Sequence, residues 1–104
     1  MKLYLDDRRQ APEGWIRVRR PEEAINLLKT GEVTHISLDH DLGENMGTGY
    51  DVLKWIEEKI VTEGFPSPNI EIHTANPAAR QRMELAVRKI YQLREERQKA
   101  EENG

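Results

Sequence analysis

The sequence predicts an α/β domain built on a small, open, mostly parallel sheet of about four strands, with three helices mainly on one face. Short alternating runs that read as strands recur at Lys2–Leu5, Trp15–Arg19, His35–Leu38 and Asn69–His73. After the last three of them, apolar residues fall at helical spacing, with Pro or a capping residue in front. Strands that alternate with helices in this way favour a parallel sheet. At 104 residues the chain is one domain with a single core.

Lys2–Leu5 alternates and runs into Asp6-Asp7. Arg8–Gly14 is a loop broken by Pro12 and Gly14. In Trp15–Arg19, Ile16 and Val18 take one side and Arg17 and Arg19 the other, as in an edge strand. The loop before it has no room for a helix. The strand therefore runs antiparallel, or is a short parallel edge reached by a stretched loop. Pro21 suits a first helical position, and Glu22 and Glu23 suit the positive end of the helix dipole. Ala24, Ile25, Leu27 and Leu28 form the apolar stripe, and Gly31 is the expected stop.

His35–Leu38 is the second strong strand and carries Asp39 and Asp41 at its end. Gly43 to Gly49 is a glycine-bearing loop. Thr48 and Asp51 have capping-box spacing for a helix from about Tyr50 to Thr62, which buries Val52, Leu53, Ile56 and Ile60 and ends at Gly64. Asn69–His73 is the next strand. Asn76-Pro77 then pairs a favoured N-cap with a favoured first residue. Met83, Ala86, Val87, Ile90 and Leu93 continue that helix. Residues 1–93 form the predicted domain, and residues 94–104 are a charged helical tail.

Composition narrows the function. There is no cysteine, which removes disulfides, thiolate metal sites and thiol catalysis. Charged residues make up 34% and no apolar run approaches the ~20 residues of a membrane span. No signal peptide is expected, and a cytoplasmic location fits. A net charge of −3 does not mark the whole chain as a nucleic-acid binder; the local cluster of Arg8, Arg9, Arg17, Arg19 and Arg20 could touch phosphates, though for most of them a solvated rim is the plainer reading.

The acids carry the chemistry. Asp6-Asp7 and Asp39-His40-Asp41 follow two strands that, as parallel neighbours, end at one sheet edge. Converging carboxylates resist ionisation in one another's field. A hard cation such as Mg²⁺ relieves that cost through oxygen ligands. A divalent metal and a phosphoryl group are the expected ligands.

In order and spacing these motifs resemble a receiver domain of two-component signalling, a flavodoxin-like fold, stripped down. Asp6-Asp7 resembles the receiver acidic pair, Asp39 the phosphoacceptor, Gly49 the helix-opening glycine and Thr74-Ala75 the end of the fourth strand. The first helix, the fifth strand and the lysine of that strand are missing. The set LDD, SLDHDLG, TGYD and HTANPAAR resembles the cyclic-phosphate processing receiver family, proposed to act on cyclic phosphate ends beside RNA-repair enzymes. In that topology the remaining helices share one face. The strands agree: Leu3, Leu5, Ile36, Leu38, Ile70 and Ile72 form an apolar set. Lys2, Tyr4, His35, Ser37, Glu71 and His73 form a mixed polar set. One sheet face is expected to be open, or covered by a second copy or another protein.

The resemblance implies roles. Asp39 is the nucleophile, and Asp6, Asp7 and Asp39 hold Mg²⁺ or Mn²⁺. Asp41 stands two residues beyond Asp39, a spacing that resembles haloacid-dehalogenase-type phosphatases, where the second acid is general acid/base. Its other reading is a turn residue before Gly43. Thr74 donates to the phosphoryl group. In place of the lysine, Arg80 is the first candidate cation and Arg8 the second, with Asn76 at the anion-favouring helix start. His40 and His73 titrate near neutrality and offer acid/base chemistry without a covalent intermediate, although they lack the H-x-T pairing of two-histidine phosphoesterases. His73 and Arg80 also read as plain sheet and helix-surface residues, and Trp15 and Trp55 as packing.

The expected activity is a metal-dependent phosphoesterase or phosphotransferase acting on a cyclic or terminal phosphate of RNA or a nucleotide. The alternative is a phosphoaccepting or non-catalytic signalling or binding module. The partners implied are a phosphorylated small molecule or RNA end and an RNA-repair or signalling protein.

Overall fold

The structure, a computed structural model, describes residues 1–42 and 47–103. Four strands, β1 (Lys2–Leu5), β2 (Ile16–Val18), β3 (His35–Leu38) and β4 (Asn69–Ile72), form one sheet in the order β2-β1-β3-β4. Three helices, α1 (Pro21–Leu28), α2 (Gly49–Glu63) and α3 (Pro77–Asn103), complete the fold. Part of the expected glycine loop, residues 43–46, lies outside the described residues, and Gly43 with it.

Every strand pairing is parallel. This settles the direction of β2: Leu3 lies opposite Ile16 and Leu5 opposite Val18. The loop manages the return without a helix because it is pinned at both ends. Asp6 takes the backbone N–H groups of Arg8 and Arg9, and the Pro12 carbonyl accepts the Trp15 N–H at 3.0 Å.

The apolar set of strand residues faces the helices. Leu3, Leu5, Ile36 and Leu38 are fully buried with Leu28, Leu53, Ile56, Met83 and Ile90. Each such side chain stabilises by about 1.5–3 kcal/mol relative to exposure. Ile72 is only half-buried, because β4 is an edge strand. Trp55 packs edge-to-face on Phe65, with centroids 5.2 Å apart. Among the described residues no helix covers the opposite sheet face: Lys2, Asn69 and Glu71 are exposed there, and Tyr4 and His35 are half-buried.

The helix ends follow local rules. Pro21 opens α1, but the helix stops at Leu28 rather than running to Gly31. The Thr30 hydroxyl donates to the Leu27 carbonyl at 2.6 Å and takes over the last turn. The Thr48 N–H donates to Asp51 Oδ2 at 2.8 Å at the start of α2, and Gly64 closes it in the left-handed region (φ 68°). Asn76 Oδ1 accepts the Ala79 N–H at 3.1 Å, which makes Asn76 the N-cap of α3.

α3 runs unbroken into the charged tail, with the Arg94 guanidinium 4.4 Å from the Tyr91 ring centroid. It also serves the outer edge of β4, where a fifth strand would pair. The Tyr91 hydroxyl accepts the Ile70 N–H at 2.7 Å and donates to the Ile70 carbonyl at 3.3 Å. Arg80 Nη2 donates to the Ile72 carbonyl at 3.1 Å. No helix among the described residues is long and apolar enough to cross a membrane.

Gly49 places α2 against the end of β3. A Cβ there would overlap the Asp39 carbonyl oxygen and stand 3.1 Å from Met83 Cε. Gly49→Ala is expected to lose about 1–3 kcal/mol in urea unfolding, because backbone must move away from Asp39. An unchanged midpoint would contradict this close approach.

Candidate functional site

Strand register carries on past the strand ends. Asp6, Asp39 and His73 donate their backbone N–H groups to the carbonyls of Val18, Leu5 and Leu38, each at 3.0 Å. Their side chains therefore stand side by side at the carboxyl edge of the sheet. One ligand atom from each lies within 4.8 Å of the others. A pocket of about 390 Å³ opens beside them, lined by Asp6, Asp7, Asp39, His40, Asp41 and Arg8 among others. Pockets of this size take small ligands.

Asp6 is 1% exposed and well supplied with donors. Oδ1 accepts the N–H groups of Arg8 and Arg9 at 2.8 and 2.9 Å, and Oδ2 faces His73 Nε2 at 3.2 Å and Arg9 Nε at 4.0 Å. Burial pushes its carboxyl up, but the Arg9 and Arg8 N–H groups and then His73 outweigh it and hold Asp6 below the ordinary value. His73 is held on three sides. Nδ1 meets Ser37 Oγ at 2.7 Å, Nε2 meets Asp6, and the ring stacks on Tyr4 with centroids 4.1 Å apart and planes 4° apart. Burial lowers its pKa, and Arg9 adds to that, against the pull of Asp39 and Asp6. The imidazole is neutral at pH 7.

Asp39 Oδ1 accepts the His40 N–H at 2.8 Å. His40 Nδ1 meets Asp41 Oδ1 at 2.8 Å, which forms a second imidazole–carboxylate pair at the pocket. Thr74 is 5% exposed, and its hydroxyl oxygen accepts the Asn76 N–H at 3.2 Å. The bond leaves the hydroxyl hydrogen to be donated elsewhere. Asn76 spends its side-chain oxygen on capping α3.

Arg80 stands apart from the acids. It pairs with Glu84 at 3.3 Å, bonds the Ile72 carbonyl and lines a groove between β4 and α3. The physical reason is the unpaired edge of β4, which needs a donor. Arg8 lines the acidic pocket. Arg9, which the sequence placed only in a basic cluster and not at the site, was missed as a support: it donates to the His73 carbonyl at 3.0 Å. Ser37 and Tyr4 were also missed as supports. The available signal was their place two residues before Asp39 and Asp6 on the same sheet face.

The groups at this edge suit a divalent cation. Asp6, Asp39 and His73 converge, and Asp7 lines the same pocket with Oδ1 buried and without a hydrogen-bond partner. A buried carboxylate oxygen left bare is costly in water-poor surroundings, and a cation answers it. Both His73 nitrogens are already engaged, by Ser37 and by Asp6, which leaves the carboxylate oxygens of Asp6, Asp7 and Asp39, ligands that suit Mg²⁺ or Mn²⁺.

A family model described as the cyclic-phosphate processing receiver domain matches residues 1–89. No curated protein and no solved structure matches the chain.

Two measurements test this geometry. His73 titrates below its ordinary 6.5, so the unfolded chain takes the proton first. In EDTA, stability should hold above pH 6.5 and fall as pH drops from there through the folded value. Asp6 adds a second loss below 3.8. His73→Gln should flatten the upper fall in urea midpoints, and a flat wild-type profile from pH 7 to 5 would contradict the neutral imidazole. Asp7→Asn should leave the metal-free melting temperature equal or higher, yet remove the rise on adding Mn²⁺ or Mg²⁺. A full metal-induced rise in that variant would place the cation elsewhere.

Proposed function

The chain belongs to the cyclic-phosphate processing receiver domain family, and from that premise we propose that it is a metal-dependent phosphoesterase or phosphotransferase. Its substrate would be a cyclic or terminal phosphate of RNA or a nucleotide. The observation that carries the reading is the gathering of Asp6, Asp7 and Asp39 at one sheet edge, with Asp7 Oδ1 buried and unanswered.

Asp6, Asp7 and Asp39 would hold Mg²⁺ or Mn²⁺, and the cation would neutralise charge on the phosphoryl oxygens. Asp39 Oδ1 is engaged by the His40 N–H, so Oδ2 is the attacking oxygen. On a cyclic phosphate, the Oδ2–P bond forms as one ring P–O bond breaks. The departing sugar oxygen takes a proton from protonated His40, which Asp41 orients through Nδ1. Water then attacks phosphorus and gives its proton back to His40, and the P–Oδ2 bond breaks. The product is an open phosphomonoester with Asp39 restored. The Thr74 hydroxyl and the start of α3 at Asn76 would donate to phosphoryl oxygens, with Arg8 as the mobile cation. His73, neutral and locked by Ser37, Tyr4 and Asp6, would fix the acidic row.

Phosphate release and chromatography on 2′,3′-cyclic nucleotides, 3′-phosphates and cyclic-ended RNA, with Mn²⁺, Mg²⁺ or EDTA, test the proposal. Product should depend on metal, and Asp39→Asn should lower the rate by about a thousandfold or more. A wild-type rate in Asp39→Asn would refute the covalent route. Stable labelling of Asp39 by acetyl phosphate without ester turnover would assign a phosphoacceptor instead.

A further inference from the structure

We propose that the open sheet face is a docking surface for single-stranded nucleic acid. The proposal rests on the phosphate-processing reading only for where the strand ends, at the acidic pocket.

The face is laid out in register. Trp15 lies just before β2, and the pairing of Leu3 with Ile16 and of Lys2 with His35 sets Trp15, Lys2 and His35 in one row. Arg17 stands opposite Tyr4 in the next row toward the pocket. Arg19 follows at the next alternate position, level with Asp6. Lys2 and Arg19 are exposed, and Trp15, Arg17 and His35 are half-buried. Glu71 is the one acid among the described strand residues of this face, and Asp6, buried and level with Arg19, follows just beyond them. A chain of net charge −3 thus gathers cations along one track that ends at its phosphate pocket.

The aromatics suit bases. Trp15 meets His35 edge-to-face at 6.3 Å, and the Lys2 ammonium sits 5.7 Å from the indole centroid. An exposed cation–π contact is weaker than base stacking, so a base displaces the ammonium, which then meets a backbone phosphate. Arg17 spends one donor on the Arg9 carbonyl at 3.3 Å and keeps the rest of its fork for phosphate oxygens. A stable protein partner needs an apolar centre, and this face is polar and charged around its few rings. Stacking platforms beside a basic track are the chemistry of single-strand binding.

The test is fluorescence anisotropy with a labelled short oligoribonucleotide ending in a 3′-phosphate. It is run in EDTA, on wild type and on Asp39→Asn, so that nothing turns over. Trp15→Ala should weaken binding about tenfold. Arg17→Ala, a surface change that tests the track even if Trp15→Ala fails to fold, should weaken it several-fold and lower the log Kd against log salt slope by about 0.7. Arg88→Ala, on the outer groove of α3, should change nothing. Neither Trp15→Ala nor Arg17→Ala should alter turnover of cyclic mononucleotides.

No binding, or binding that ignores both substitutions, overturns the proposal. So does a dimer dissolved by Trp15→Ala with no affinity for the oligomer, which would assign the face to a second copy. Oligomer binding without mononucleotide turnover keeps this surface and removes the esterase reading. Turnover without oligomer binding does the reverse.

Discussion

A carboxylate that is 1% exposed must be answered by donors, because an unpaired buried charge costs several kcal/mol. Asp6 is answered from two directions, by the N–H groups of Arg8 and Arg9 on one oxygen and by His73 on the other. Those bonds join the end of β1, the first turn of the helix-free loop and the end of β4. The loop between the first two strands, which has no helix to stiffen it, is anchored by this one group. So is the imidazole that stands beside Asp39. The geometry of the whole carboxyl edge depends on Asp6 staying ionised.

The two imidazole–carboxylate pairs at that edge differ in setting. His73 is packed, stacked and neutral, and it behaves as part of the scaffold. His40 lies at the pocket with Asp41, whose side chain is 65% exposed. The two imidazoles are almost equally exposed, at 17% and 16%, so the difference lies in their carboxylates: Asp41 faces solvent, while Asp6 is 1% exposed.

Most of the fold was legible because its signals are local. Alternation fixed the four strands, and Pro21, Gly64 and Asn76-Pro77 marked helix ends within a residue or two. The open face followed from the polar alternate residues of the strands. The direction of β2 was not legible, since periodicity is the same for parallel and antiparallel strands. At the site, the register past Leu5 and Leu38 sets Asp6 beside Asp39, while Asp7 and Asp41 line the same pocket outside that close cluster. Long side chains were harder. Arg80 is one turn from the pocket in sequence, yet its reach let it serve a bare strand edge instead. Arg9, beside Arg8, bridges to His73 for the same reason of reach.

The finished outer edge of β4 has a consequence for assembly. An unpaired strand edge is a template on which another chain can extend the sheet. Here the Tyr91 hydroxyl and the Arg80 guanidinium occupy the Ile70 and Ile72 groups that such a chain would need. At the other end, β2 is three residues long, carries Arg17 and runs into Arg19 and Arg20. Strand addition, the usual way for small sheets to recruit peptides or to aggregate, meets blunted ends on both sides. Contacts made through the sheet must come onto its face.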